Sequence, residues 1–214
     1  MSRDWQDWHQ EYDDPRSSLS RRLEVVRAQL ALLLAAAAGP VRLLSLCAGD
    51  GRDTLPVLAA SPVRASGLLV ELDPDLASAA RSSAAELGLA GIEVRTADAG
   101  STSSCADAVP ADVLLACGIF GNVSDTDVIR TVATLPMLLA PGAHVIWTRG
   151  FRVPLDPTEV DGDPSEAVRA WLADAGFEEV AFVWPDDASF RVGVARWPGP
   201  AVAFRDGVRM FSFV

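Results

Sequence analysis

The sequence predicts an α/β fold: a mainly parallel seven-stranded sheet with helices on both faces, ending in an antiparallel pair of strands. Three observations lead there. Short apolar runs alternate with amphipathic helical stretches through most of the chain. The last two strand-like runs follow each other with no helix between them. The chain has 214 residues, half of them hydrophobic, enough for one sizeable core.

From Ser17 onward, Leu19, Leu23, Val26, Leu30 and Leu33 recur at spacings of four and three, one face of a helix. Asp14-Pro15 marks its start and Gly39-Pro40 its stop. Val41 to Cys47 reads as a buried strand, Ala48 to Arg52 as a glycine-bearing turn, and Asp53 to Ala60 as a helix. A second buried strand covers Gly67 to Leu72. Asp73-Pro74 then opens a helix that runs to about Leu87 and stops at Gly88. Strands follow at Ile92 to Thr96 and Asp112 to Cys117, then a helix from Asp125 to Leu139, kinked at Pro136 and closed by Pro141-Gly142. His144 to Thr148 is the fifth strand, and Ser165 to Ala175 a helix closed by Gly176. Glu179 to Trp184 and Phe190 to Trp197 form the terminal pair, with Val208 to Phe213 a candidate further strand.

Charge and cysteine content exclude several function classes. The formal net charge is -11, with no run of five basic residues, so a nucleic acid or an anionic membrane surface is not an expected partner. A neutral or cationic small-molecule substrate meets no net repulsion. Cys47, Cys105 and Cys117 are odd in number and contain no Cys-x-x-Cys pair, which argues against a disulfide framework and a zinc site. The polar start Met1-Ser2-Arg3-Asp4-Trp5 is not a signal peptide, and the longest apolar stretch, Leu30 to Gly39, is too short to span a bilayer. A cytoplasmic protein is expected. Residues 1–16, with Trp5, Trp8, His9 and Tyr12, are expected to form a lid over one domain spanning 17–214.

In open parallel sheets, ligands bind beyond the carboxyl ends of the strands. The turn after the first strand reads Leu44-Ser45-Leu46-Cys47-Ala48-Gly49-Asp50-Gly51-Arg52-Asp53. Glycines at 49 and 51 allow close approach to the backbone, and the helix that follows offers free N–H groups. Glu71 lies 20 residues beyond Gly51, at a strand end, where an acid can accept both ribose hydroxyls. A dinucleotide fingerprint needs a third glycine, but that position is Thr54, and a helix precedes the first strand. Both points disfavour NAD.

This segment resembles motif I of the class I S-adenosylmethionine-dependent methyltransferases, which have a Rossmann-like fold. Val70-Glu71-Leu72-Asp73-Pro74 resembles their second motif, Thr96-Ala97-Asp98-Ala99 their third, Ala111 to Gly118 their fourth strand, and Leu139-Ala140-Pro141-Gly142-Ala143 the turn before their fifth. More closely, Ser45 to Asp53 and Gly118 to Asp125 are similar to a group of uncharacterised bacterial methyltransferase-like proteins. The resemblance covers roughly residues 40 to 150. It implies S-adenosyl-L-methionine as cofactor, with S-adenosyl-L-homocysteine as product. The implied contacts are Cys47, Ala48, Gly49, Gly51, Arg52, Asp53 and Gly118, Glu71 and Leu72 at the ribose, and Asp98 and Ala99 at the adenine. Two positions depart from the motif: Ser45 stands where an acid is common, and Cys47 where the first glycine falls. Arg52 and Asp53 are candidates to take over a contact to the methionine moiety.

Methyl transfer requires the acceptor in line with the departing sulfur, so positioning is a large part of catalysis. An acceptor N–H or O–H must also lose a proton. His9 is the first candidate base, because its ordinary pKa lies near neutrality, against the alternative of a solvated tail histidine. Tyr12 and Asn122 are candidates to orient the acceptor, against packing for Tyr12 and loop shaping for Asn122. Trp8, Phe120, Arg149 and Phe151 are candidate substrate contacts, with Arg149 suited to a carboxylate. His144 reads as a structural strand residue. The acidic stretch 156 to 166 lacks the ligand spacing of a metal site, so none is expected. Gly118-Ile119-Phe120-Gly121 stands where the methyltransferases of DNA exocyclic amines carry Asn-Pro-Pro-Tyr, and no Pro-Cys nucleophile follows it. A small acceptor, as in bacterial secondary metabolism, is the preferred reading, with the acceptor atom (N, O or C) open. An aminopropyltransferase-like transferase and a non-catalytic binding scaffold are its rivals. Both a monomer and a homodimer remain open.

Overall fold

The computed structural model describes residues 12, 14, 16–150, 163–185 and 188–213. Seven strands are present: β1 (Val41–Leu46), β2 (Ala65–Glu71), β3 (Ile92–Thr96), β4 (Ala111–Ala116), β5 (Leu139–Gly150), β6 (Glu178–Val183) and β7 (Phe190–Arg196). Among the described residues, five α-helices accompany them: α1 (Ser18–Ala36), α2 (Leu55–Ala60), α3 (Pro74–Glu86), α4 (Asp125–Thr134) and α5 (Pro164–Asp174). The strands lie in one sheet in the order β3-β2-β1-β4-β5-β7-β6. β1 to β5 are parallel, and β7 runs antiparallel to both β5 and β6.

Successive strand residues point to opposite faces, and both faces are covered. Leu44 and Leu46 of β1 pack in the layer that contains Val128 and Val132 of α4 and Val168 and Leu172 of α5. Val41 and Leu43 pack in the layer of α1, α2 and α3, with Leu30, Leu34, Leu55 and Ala77. Apolar residues on both faces give β1 its nearly uninterrupted hydrophobic run.

Differences from the sequence reading fall at element ends. α1 begins at Ser18, capped by Ser17, whose hydroxyl accepts the Ser20 amide at 3.0 Å, rather than at Asp14-Pro15. The helix from Asp125 stops at Thr134. Pro136 lies in a single 3₁₀ turn, Leu135–Met137, because its ring lacks an N–H and restricts the residue before it. β5 then starts at Leu139, five residues before the expected His144. Leu139 pairs with Ala111, and the register shifts between Ala111 and Val113. The strand expected over Val208 to Phe213 is absent. That segment makes two isolated bridges instead, Ser101 with Arg209 and Val123 with Phe213. No described helix is long and apolar enough to cross a membrane.

Candidate functional site

The turn after β1 leaves the sheet through three alternating left-handed residues: Cys47 (φ 55°), Gly49 (φ 58°) and Gly51 (φ 75°). Gly51 is also crowded, since a Cβ there would sit 2.6 Å from Leu55 Cδ1. Cys47 takes the conformation that glycine adopts at no steric cost, which explains why the related motif places glycine there.

The turn is tied to the end of β2. Glu71 Oε2 accepts the Gly49 amide at 2.7 Å, and Oε1 accepts the Asp73 amide at 2.9 Å. A carboxylate has about four lone-pair sites, so each oxygen retains capacity for a ligand hydroxyl. Beside Glu71 lies a cavity of about 270 Å³, also lined by Gly49, Leu72, Leu76, Gly118 and Phe213. That is near the lower end of the roughly 300–1,000 Å³ common for small-molecule pockets. Leu72 is 63% exposed, an apolar side chain held open beside the acid.

The lining also includes the charged residues Arg22, Asp50, Arg52 and Asp53. Arg52 pairs with Asp50, Nη2 lying 2.6 Å from Oδ2, and its carbonyl accepts Arg27 Nε at 2.8 Å. The Arg52 guanidinium stands 4.5 Å from the centre of the Tyr12 ring. Tyr12 Oη accepts from Arg22 Nη2 at 3.0 Å, and its carbonyl accepts the Ser20 hydroxyl at 2.9 Å. Burial, against the opposing effect of Arg22, raises the Tyr12 pKa and keeps the hydroxyl protonated. Asp53 is half-buried and accepts the Thr54 hydroxyl at 2.9 Å; desolvation raises its pKa more than that bond lowers it. Burial first, and then the charge of Glu71, pushes the Cys47 thiol up; burial does the same to Cys117. Both thiols stay neutral, as apolar packing residues do.

Of the residues expected at the cofactor, Cys47, Ala48, Gly49, Arg52, Asp53, Glu71, Leu72 and Gly118 line the cavity; Gly51 supports the turn from behind. Asp98 and Ala99 do not line it. Asp98 Oδ1 accepts the Gly100 amide at 2.8 Å and Oδ2 the Arg209 guanidinium at 2.5 Å, while Ala99 is buried. Among the acceptor candidates, Tyr12 lines the cavity. Asn122 donates to the Gly118 carbonyl at 2.7 Å, the loop-shaping alternative. The expectation for Phe120 is corrected: the ring is fully buried and packs against Trp147, centroids 6.3 Å apart, because a loop phenylalanine beside an apolar layer gains more by burial than by facing solvent. Arg149 pairs with Asp125 at 3.3 Å, while its Nη1 is buried without a hydrogen-bond partner. Trp8, His9 and Phe151 lie outside the described residues.

Sequence reasoning missed Arg22, Leu23 and Val26 of α1, Asp73, Leu76, Cys117 and Phe213 as lining residues. The α1 set had a signal: Arg22 is four residues before Val26, hence on its side of the helix. Phe213 had none, since its place is set by contacts with residues far away in sequence. Among the described residues, no group of three His, Cys, Asp or Glu is placed to hold a metal ion.

The strand order, the β1 turn and the acid at the end of β2 define a Rossmann-like fold of the kind seen in class I S-adenosylmethionine-dependent methyltransferases. Among solved structures, the chain is similar to magnesium protoporphyrin IX methyltransferase (ChlM) from Synechocystis PCC 6803 with bound S-adenosylhomocysteine. The TM-score is 0.66 at 15% identity, covering 90% of this chain and 93% of that one. A possible exported protein from Bordetella parapertussis matches with TM-score 0.66 and 19% identity over 84% of this chain and 68% of that one. The [4+2]-cyclase SpnF matches with TM-score 0.59 and 18% identity over 81% and 82%. No family model and no curated protein matches the sequence.

Proposed function

We propose that this protein binds S-adenosyl-L-methionine in the cavity beside Glu71 and transfers its methyl group to a small-molecule acceptor. The observation that carries this reading is the Glu71 carboxylate, held by two backbone amides in the wall of a cavity lined by both apolar and charged side chains.

The residues present fit the cofactor. Glu71 accepts the two ribose hydroxyls, with Leu72 and Leu76 as apolar cover for the adenine. Arg22, Arg52, Asp50 and Asp53 supply both signs of charge for the zwitterionic methionine end. When bound, S-adenosylmethionine supplies a methyl group activated by the sulfonium. The chain's part is then to position the acceptor and exclude water. Tyr12, protonated and fixed by Arg22, donates or packs at that end rather than acting as the base. We assign residues 1–16 as the lid of a domain spanning 17–214, supported by the position of Tyr12 in the cavity wall. Arg149 is assigned to an anionic group of the acceptor, supported by its buried, unpartnered Nη1.

A cytoplasmic protein, monomeric or homodimeric, acting in bacterial secondary metabolism belongs to the same proposal. So does the absence of a nucleic acid partner, supported by the net charge of -11.

Calorimetric titration with S-adenosylhomocysteine tests the reading, with Glu71→Ala and NAD as controls. Micromolar binding that is lost in the variant, with no NAD signal, is expected. No binding by the wild-type protein would overturn the reading. A second reading, cofactor binding without methyl transfer, is favoured by the departures from the motif at Ser45 and Cys47. It predicts S-adenosylhomocysteine binding with no turnover across broad acceptor pools.

A further inference from the structure

The segment after β7 does not end on the far side of the sheet. It returns to the carboxyl ends of the parallel strands through a continuous set of bonds. The Thr102 hydroxyl donates to the Arg205 carbonyl at 2.9 Å and accepts the Val208 amide at 3.0 Å. The Met210 amide donates to the Gly100 carbonyl at 2.7 Å, and the Ser212 amide to Asp127 Oδ2 at 3.0 Å. Met210 and Phe211 are buried in the α4–α5 layer. Gly100 is pressed against this segment so closely that a Cβ there would lie 2.3 Å from the Phe211 carbonyl oxygen.

The consequence falls on the turn after β3. Asp98 is occupied by Arg209, and Ala99 is buried beneath the same segment. Neither lines the cavity, whereas Phe213, five residues beyond Val208, does. Phe213 is 41% exposed, meets Phe211 edge-on at 5.7 Å, and is bridged to Val123 in the loop after β4. It lines the same cavity as the apolar side chains of Leu72 and Leu76.

Resting on the function proposed above, we infer that residues 209–213 form the purine wall of the cofactor pocket. Phe213 is its aromatic face, and Arg209, through Asp98, is the positioning residue that holds it there. Purine recognition thereby passes from the β3 turn to a segment distant in sequence. A partly exposed aromatic ring lining a nucleoside pocket suits a purine by stacking, which tolerates the absence of a base-edge hydrogen bond.

The test is calorimetric titration with two probes, S-adenosylhomocysteine and adenosine. The wild-type protein is compared with Phe213→Ala, Phe213→Tyr, Arg209→Ala and Arg52→Ala. Phe213→Ala is expected to weaken both probes by about tenfold or more, and Phe213→Tyr by less than about threefold. Arg52→Ala, among the charged lining residues, is expected to weaken S-adenosylhomocysteine and leave adenosine unchanged. Arg209→Ala is expected to weaken both probes and expose the segment to protease. If Asp98 itself reads the purine, releasing it by Arg209→Ala tightens binding instead, which overturns the inference. Equal affinity of wild type and Phe213→Ala for adenosine overturns it too, while leaving the proposed function standing. Failure of the wild-type protein to bind either probe overturns both.

Discussion

Glu71 and Gly49 are joined by a 2.7 Å hydrogen bond that ties the end of β2 to the turn after β1. The same carboxylate also holds the Asp73 amide. Its removal therefore has two consequences. Glu71→Ala is expected to lower stability by about 1–3 kcal/mol through the unpaired amides, alongside the loss of S-adenosylhomocysteine binding. Urea denaturation measures the first. An unchanged midpoint would show that the turn holds its shape without the acid.

Cys47 offers a test of backbone strain. A non-glycine residue in the left-handed region costs roughly 1–2 kcal/mol, and Cys47 has φ 55°. Cys47→Gly is expected to match or exceed wild-type stability, while the β-branched Cys47→Val loses about 2 kcal/mol or more relative to the glycine variant. Equal denaturation midpoints for the two variants would contradict the argument.

Arg191 and Asp163 form a buried ion pair. Their side chains are 3% and 10% exposed, with Nε 2.7 Å from Oδ2. Asp163 also caps α5 by accepting the Ser165 amide at 2.9 Å. Burial alone would raise the Asp163 pKa, but the Ser165 bonds and Arg191 outweigh it and hold the carboxyl below its ordinary value. Asp163→Ala removes the carboxylate from a buried guanidinium, which keeps its bonds to the Ala188 and Phe190 carbonyls, and is expected to cost about 3–5 kcal/mol. A loss below about 1 kcal/mol in urea denaturation would count against it.

His144 sets a pH dependence. Burial, and then the positive charge of Arg196, holds its pKa below the ordinary 6.5. The unfolded chain therefore takes up the proton first. The contribution of His144 to stability is complete above pH 6.5 and declines as pH falls through the window below it. Thermal melting between pH 7 and pH 5 is expected to drop more for wild type than for His144→Gln. Parallel curves would remove His144 as the cause.

Arg149 gives a kinetic prediction once an acceptor is found. If its Nη1 meets an anionic group, Arg149→Ala raises KM for acidic acceptors by about tenfold or more and leaves neutral ones unaffected. Equal effects on both would assign the residue to its Asp125 pair alone.

Much of this was legible along the chain. Short apolar runs and period-3.6 patterns located the seven strands and five helices of the described residues, because burial on both faces writes itself into local hydrophobicity. The β1 turn and Glu71 were legible because their geometry needs particular residue types at a particular spacing. The limits of β5 were not, since pairing with Ala111 extends a strand through a Pro-Gly signal that locally reads as a stop. Phe120 looked like a loop residue available to substrate, and its burial against Trp147 depends on how α4 and α5 close over the sheet.

The sequence by itself determined the α/β architecture, the cofactor-type turn and the acid that anchors it, since each is encoded by neighbours in the chain. Only the tertiary structure decided how the far wall of the cavity is built. Arg209 meets Asp98, 111 positions earlier in the chain, and Phe213, which lines the pocket, is bridged to the distant Val123. Those contacts arise because Met210 and Phe211 bury themselves under α4, a long-range packing choice that no local pattern records.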